Sequence, residues 1–280
     1  MELLKKIDDV RSRVKQWKAE NKSVGLVPTM GYLHEGHASL IKRAVSENDH
    51  VVVSVFVNPM QFGPSEDLEA YPRDIDADGE YCRMLGADIV FNPEPEEMYA
   101  EGFCSFVDMT VLTEELCGLS RPTHFRGVCT VVNKLFNIVK PDRAYFGQKD
   151  AQQLAVIRRM VLDLNMDIEI VGCPIIREND GLAKSSRNTY LSDEERKAAL
   201  VLSRSVGLAD RLIKEGERDA RRITDEMKSL IENEPLAKID YVKAVDGLSM
   251  QQVEHLKAGD LIAVAVYIGK TRLIDNTIVG

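Results

Sequence analysis

Through the first two-thirds of the chain, short unbroken apolar runs alternate with stretches whose apolar residues recur at helical spacing. The runs "VGLVP", "VVVSVFV", "ADIVF" and "RAYFG" each stop at a Pro, Gly or Asn. Continuous apolar runs suit strands covered on both faces, so the pattern predicts a parallel sheet with crossover helices, an α/β, Rossmann-like doubly wound domain. "DAQQLAVIRRMVLDLNM" predicts a helix and "DIEIVGCPII" a further strand; the opening "MELLKKIDDVRSRVKQW" carries helical spacing from its start. Beyond about residue 175 the pattern changes. "SDEERKAALVLSRSVGLADRLIKEGE" opens on a capping box, Ser192 with Glu195, and predicts one long amphipathic helix. A second helix follows around Ala220 to Ile231, then "KIDYVKAV", "LIAVAVYIG" and "TRLIDN" as antiparallel strands joined by short turns. The expected division is a doubly wound domain over 1–175 and a smaller C-terminal α+β domain over 176–280. The aperiodic "RENDGLAKSSRNTY" forms a loop at their junction.

Composition narrows the possibilities. A chain of 280 residues can hold about two domains and bury a large core. The net charge of −9 argues against a general nucleic-acid binder, though local basic groups can still build a phosphate pocket. No apolar run reaches the length of a membrane span and no secretion signal opens the chain. The five cysteines include no C-x-x-C pair and read as buried, reduced thiols of a cytoplasmic protein.

Candidate chemistry gathers where predicted strands end. "VPTMGYLHEGHASL" follows the strand "VGLVP" and enters a helix near Gly36. Three familiar motifs almost fit it. A P-loop would need Lys and a hydroxyl where His37 and Ala38 stand. "HEGH" is one residue short of the H-E-x-x-H zinc helix and lacks a persuasive third ligand among His50, His124 and His255. No G-x-G-x-x-G occurs. What remains is a phosphate site made of backbone amides, a helix N-terminus and two imidazole N–H donors, since a spacing of three keeps both rings on one side of the turn. The competing reading is that His34 and His37 only satisfy backbone groups at the helix start; two together at a strand end favour the site. "VNPMQF" brings Asn58 and Gln61 to a second strand end, and "FGQKDAQQL" brings Gly147, Lys149 and Asp150 to a third, with Gln152 and Gln153 in the first helical turn. "AKSSRN" adds Lys184, Ser185, Ser186 and Arg187, a set of cations and hydroxyls suited to polyphosphate oxygens.

"PTMGYLHEGH", "FVNPMQFGPSEDLEAYPR", "RPTHFRGV", "FGQKDAQQL" and "DGLAKSSRN" together resemble the pantoate–β-alanine ligases of the nucleotidylyltransferase superfamily, over essentially the whole chain. His34-Glu35-Gly36-His37 resembles that superfamily's His-x-Gly-His signature. The resemblance implies a nucleotidylyltransferase-type sheet and an AMP-forming ligation of an acid to an amino acid. Pantoate's carboxylate would attack the α-phosphorus of ATP, giving pantoyl adenylate and pyrophosphate; β-alanine's amine would then displace AMP. It implies that Met30, Gly31, His34, Gly36 and His37 hold ATP, with Gly147, Gln148, Lys149, Asp150, Ile176, Lys184, Ser185, Ser186 and Arg187 completing the nucleotide site. His37, His34 and Lys149 would carry the catalysis. Gln61 and Gln153 would hold pantoate, Gln61 also lying near β-alanine, with Asn58 alongside. Mg²⁺ would share the polyphosphate charge, and its protein ligands are not implied. A homodimer through the N-terminal domain is expected, with the junction loop and second domain acting as a lid. One position departs from the family: Lys184 stands where an apolar residue is usual. The alternatives are another nucleotidylyltransferase, or an ATP-binding regulator that consumes nothing. The residues offer no protein nucleophile, and direct attack by a substrate carboxylate needs none.

Overall fold

A computed structural model describes every residue except Ser65. Six parallel strands form one sheet: β1 (Glu2–Leu4), β2 (Val24–Thr29), β3 (His50–Val55), β4 (Ile89–Phe91), β5 (Arg143–Gly147) and β6 (Glu169–Cys173). Their order is β1-β4-β3-β2-β5-β6. The chain therefore winds outward from β2 through β3 to β4, and in the other direction from β5 to β6. The crossover helices include α1 (Ile7–Ala19), α2 (Glu35–Glu47), α3 (Ile75–Met84), α6 (His124–Val139) and α7 (Ala151–Asp163), with the short α4 (Pro95–Met98) and α5 (Leu116–Ser120) between. Val27, Val51, Val53 and Val90 of the strands pack with Leu40, Ile41 and Ala44 of α2 and Cys82 of α3 in the core of this sheet.

The apolar runs correspond to β2 through β6. The opening residues do not belong to the first helix: Glu2, Leu3 and Leu4 pair with Ile89, Val90 and Phe91 at the sheet edge. Three residues are too few for a period to show, and only the exposed edge of β4 makes them a strand.

By compactness the chain falls into two units, the first comprising Met1–Met109, Arg121–Gln148 and Val156–Pro174, the second Thr110–Ser120, Lys149–Ala155 and Ile175–Gly280. The second contains α8 (Asp193–Ala198), α9 (Leu200–Lys214), α10 (Ala220–Glu232) and an antiparallel sheet in the order β7-β8-β9, formed by Ala237–Val245, Leu261–Ile268 and Thr271–Ile278. Its core joins Leu202, Val206 and Ala209 with Ile223, Met227, Ile262, Val264 and Val266. Two expectations are corrected here. The single long helix is two, since the Leu202 N–H bonds back to the Ala199 carbonyl at 3.2 Å, a tightened turn that interrupts the α pattern after the Ser192–Glu195 capping box. Of the two strand connections only β8 to β9 is short, a two-residue turn with Gly269 at φ +56°, whereas residues 246–260 separate β7 from β8. The cysteine expectation is also corrected: Cys82, Cys117, Cys129 and Cys173 are buried, but Cys104 is exposed. Among the described residues no helix is long and apolar enough to cross a membrane.

Candidate active site

β2, β3 and β5 are neighbours in a parallel sheet, so the segments that follow them leave from the same edge. The direction of winding reverses between β2 and β5, and open α/β sheets bind ligands in the crevice at that point.

After β2 the chain turns sharply, with Gly31 at φ +87° and Tyr32 at φ +52°. A Cβ at Gly31 would lie 2.8 Å from Asp78 Oδ2 and 2.9 Å from Val55 Cγ1, so both the conformation and the space require glycine. Asp78, on α3 and 4 % exposed, accepts the Tyr32 N–H at 2.8 Å through Oδ2 and the Leu33 N–H at 2.7 Å through Oδ1. Burial raises the Asp78 carboxyl above the usual range, and the two amide donors oppose that shift. The turn is thus clamped from a neighbouring helix.

His34 is the N-cap of α2: its Nδ1 accepts the Gly36 N–H at 3.1 Å. His37, three residues on, accepts the His34 N–H through its own Nδ1 at 3.3 Å, completing a capping box made of two imidazoles. Their centroids lie 4.1 Å apart. A neutral imidazole that accepts at Nδ1 carries its proton on Nε2, so each ring is held in the tautomer that donates from its outer nitrogen. The two readings of these histidines are therefore compatible: the Nδ1 of each ring serves the helix, and the Nε2 is not used by the cap.

Asn58 follows β3 and is 1 % exposed. Its Nδ2 donates to Gln61 Oε1 and to the Gly127 carbonyl, each at 3.1 Å, while its Oδ1 accepts from the Met60 N–H at 3.3 Å and the Tyr99 hydroxyl at 2.7 Å. All four of its hydrogen-bonding positions are used inside the protein. Asn58 consequently orients Gln61: with Oε1 engaged, the Gln61 amide presents Nε2, which lies 2.9 Å from Met30 Sδ. The Gln61 carbonyl receives Arg121 Nη2 at 3.3 Å and lies 3.0 Å from His124 Nδ1. Arg121 also forms a two-point pair with Glu66, both distances 2.6 Å. Burial pushes the Glu66 carboxyl up, but the Arg121 pair, the Gly63 amide and His124 together hold it below the usual range. At Gly127 of α6 a Cβ would come within 2.2 Å of the Met60 carbonyl, so the turn of residues 59–61 rests directly on that helix. Gly147 differs, since a Cβ there would meet nothing within 4 Å. Packing places no demand for glycine at this strand end.

In the second unit, Gln152 and Gln153 have different surroundings. Gln152 donates to the Leu112 and Glu115 carbonyls at 2.8 and 2.7 Å and accepts the Gly118 N–H, which makes it a structural tie. Gln153 is half-buried in the same helical turn. Lys149 Nζ lies 3.6 Å from Asp150 Oδ1, and the Lys149 carbonyl accepts Asn276 Nδ2 at 2.9 Å. Residues 177–190 are more regular than a plain loop. Arg177 bridges to Ala183, the Lys184 N–H bonds to the Ile176 carbonyl at 2.9 Å, Gly181 turns at φ +97°, and a 3-10 turn, Ser186–Tyr190, follows with Ser185 as its cap. Glu178 takes Arg196 at 2.7 Å and Asn188 at 3.0 Å. Burial would raise the Glu178 carboxyl, and these partners bring it below the usual range.

Asp78, Tyr99 and the Arg121–Glu66 pair escaped the sequence reading. Asp78 left one trace, a carboxylate four residues before the buried Cys82 on the apolar face of α3. Tyr99 left none.

A family model described as pantoate-beta-alanine ligase matches residues 2–278. The pantothenate synthetase of Ruminiclostridium cellulolyticum is 66 % identical, over 99 % of this chain and 98 % of its own. The crystal structure of pantothenate synthetase from Thermus thermophilus superposes with a TM-score of 0.95 at 44 % identity, covering 100 % of this chain and 99 % of that one. A pantoate-beta-alanine ligase from Francisella tularensis, crystallised with beta-gamma ATP and β-alanine, gives a TM-score of 0.81 at 34 % identity over 99 % and 97 % of the two chains.

Proposed function

The chain belongs to the pantoate–β-alanine ligase family, and from that premise we propose how its residues join pantoate to β-alanine with cleavage of ATP to AMP and pyrophosphate. The observation that carries the reading is the pair of imidazoles whose Nδ1 atoms are committed to the α2 backbone, which sets both Nε2–H groups as preorganised donors at a helix N-terminus. A pantoate carboxylate oxygen attacks the α-phosphorus in line; the bond to the bridging oxygen breaks, and pyrophosphate leaves. The amine of β-alanine then attacks the acyl carbon of the mixed anhydride, and AMP leaves with the electron pair of the acyl–oxygen bond. In the first step His34 and His37 donate to the phosphate oxygens, on which negative charge builds as the phosphorus becomes five-coordinate. Lys149 neutralises the departing pyrophosphate, and Ser185, Ser186, Arg187 and Lys184 hold polyphosphate oxygens. Met30, Gly31, Gly36, Gly147, Gln148, Asp150 and Ile176 line the nucleotide with backbone. The absence of any packing demand for glycine at Gly147 fits close approach by a ligand.

Gln61, oriented by Asn58, donates from Nε2 to an oxygen of pantoate and later of β-alanine, and Gln153 donates to pantoate. Asn58 itself acts through Gln61, because its hydrogen-bonding capacity is taken up. Mg²⁺ typically binds through substrate phosphates and retained waters. Among the described residues there is no group of three or more His, Cys, Asp or Glu side chains that could hold a metal ion. Its contribution would be to neutralise charge on the polyphosphate. We also assign the protein to the cytoplasm as a homodimer, C₂ dimers being the commonest closed oligomers.

The test is isotope exchange between ATP and pyrophosphate. Pantoate alone supports exchange, β-alanine alone does not, and mass analysis of the complete reaction finds the amide with AMP. A strict requirement for β-alanine in the exchange would exclude the stepwise route.

A further inference from the structure

We propose that Asp275 and Asn276, neighbours on β9, are positioning residues for the nucleotide: Asn276 sets the backbone of Lys149, and Asp275, through Arg177, sets the frame that carries Lys184, Ser185, Ser186 and Arg187. The proposal rests on the reading of those residues as phosphate contacts.

β9 lies at the edge of its three-stranded sheet, pairing only with β8. Asp275 and Asn276 are 2 % and 4 % exposed, an unusual pair of polar side chains to bury at adjacent positions of a strand. Each has a specific partner. Asp275 Oδ2 receives Arg177 Nη1 at 2.6 Å and Oδ1 receives Arg177 Nη2 at 2.9 Å, a fork-to-fork pair. The Asn276 N–H also donates to Asp275 Oδ1, at 2.8 Å. Arg177 Nη1 reaches further, to the Gly181 carbonyl at 3.1 Å, and so ties the tip of the 177–183 turn to its base. That turn continues directly into Lys184, whose N–H is bonded to the Ile176 carbonyl. On the other side, Asn276 Nδ2 donates to the Lys149 carbonyl at 2.9 Å. Two consecutive side chains of one strand thus fix segments that are far apart in sequence and that supply the cations of the nucleotide site.

Stability alone gives little reason for this arrangement. Apolar residues of similar volume commonly replace a buried ion pair without loss of stability, and often with a gain. What apolar packing cannot supply is a defined distance and direction at the Lys149 carbonyl and at the Gly181 turn. Catalysis is sensitive to that precision, because a misplacement of about 1 Å can cost about 10²-fold in rate.

The experiment compares the full-length protein with Asn276→Ala, Asn276→Ser and the double variant Arg177→Met with Asp275→Leu, which removes the ion pair and leaves no unpaired charge. Thermal melts establish folding. Each folded variant is assayed for pantoate-dependent ATP–pyrophosphate exchange and, separately, for conversion of synthetic pantoyl adenylate with β-alanine. The expected result is a fall in exchange of about 10- to 10²-fold with a raised KM for ATP, an unchanged KM for pantoate, and adenylate conversion within about twofold of the parent. A merely structural role would lower both half-reactions together or move only the melting temperature, and either result overturns the proposal, as does unchanged exchange in folded variants. If the double variant fails to fold, the two Asn276 variants, each lacking the bond to the Lys149 carbonyl, decide the matter. The unmodified protein separates the two levels of inference. No exchange in the parent defeats the ligase mechanism itself, whereas normal exchange in parent and variants alike defeats only the positioning role.

Discussion

Each ring of the His34–His37 pair commits its Nδ1 to the helix backbone, and under the proposed function its Nε2 serves ATP, so a substitution has two separable consequences. His34→Asn keeps a good N-cap and should melt close to the parent, whereas His34→Ala should lose about 1 kcal/mol of stability. Both should slow adenylation. His37→Ala should fall about 10²–10³-fold from ATP and pantoate, as for loss of one preorganised donor, yet retain most of its activity on pantoyl adenylate with β-alanine. Equal loss of both half-reactions in a folded His37→Ala protein would disprove assignment to the α-phosphate step. Lys184 is a milder case. Its backbone is held by Ile176 whatever its side chain, so Lys184→Leu should change ATP affinity by less than tenfold, about 1.4 kcal/mol, in a titration followed by calorimetry.

The connections between elements place the site's groups more than any element does alone. The turn after β2 is held by α3 through Asp78, and Asp78→Asn would set an amide N–H₂ against one of the two backbone donors. A cost of about 1–3 kcal/mol is expected, as for a buried donor left unmade, together with slower adenylation. The pH dependence of this carboxyl has a definite sign. Its folded value is raised by burial, so the native state retains a proton that the unfolded chain has released, and its contribution to stability declines as pH rises through that interval. The Glu66–Arg121 pair behaves in the opposite sense. Its lowered carboxyl contributes stability that is complete above the unfolded carboxylate value, about 4.3, and is lost as pH falls through the folded value. Because Arg121 also holds the Gln61 carbonyl, KM for pantoate should rise on the same acid limb. Glu66→Gln should flatten both curves; melts and initial rates across pH 3 to 7, a range of about 4 units around the carboxylate value, provide the measurement.

For the molecule as a whole, the doubly wound sheet brings the ends of β2, β3 and β5 to one edge. Assembly is tested by light scattering at micromolar concentration, where a homodimer gives twice the 31.4 kDa of one chain. A mass of one chain would exclude it. The acidic balance of the chain, −9 overall, has no counterpart in the nominated nucleotide segment "AKSSRN", which is basic. If that segment holds ATP as proposed, the attraction is local to the site and should weaken with added salt less steeply than for a protein that is basic throughout.

What the sequence determined by itself is whatever depends on neighbours in the chain. Unbroken runs such as "VVVSVFV" can only be covered on both faces, and this fixes a parallel sheet with crossovers. Ser192 and Glu195 close their capping box three residues apart, and His34 and His37 close theirs at the same spacing, so both were open to local reasoning. The candidate segments could be nominated because a strand end followed by a helix start is itself a local pattern. Tertiary structure decided which groups hold those segments in place. Asp78 meets Tyr32 across 46 residues, Tyr99 meets Asn58 across 41 and Asn276 meets Lys149 across 127. A polar side chain bonds to whatever packing brings within about 3 Å of it, and no periodicity records that choice. The same reason explains why β1 could not be foreseen: its three residues become a strand only because β4 offers them an unpaired edge.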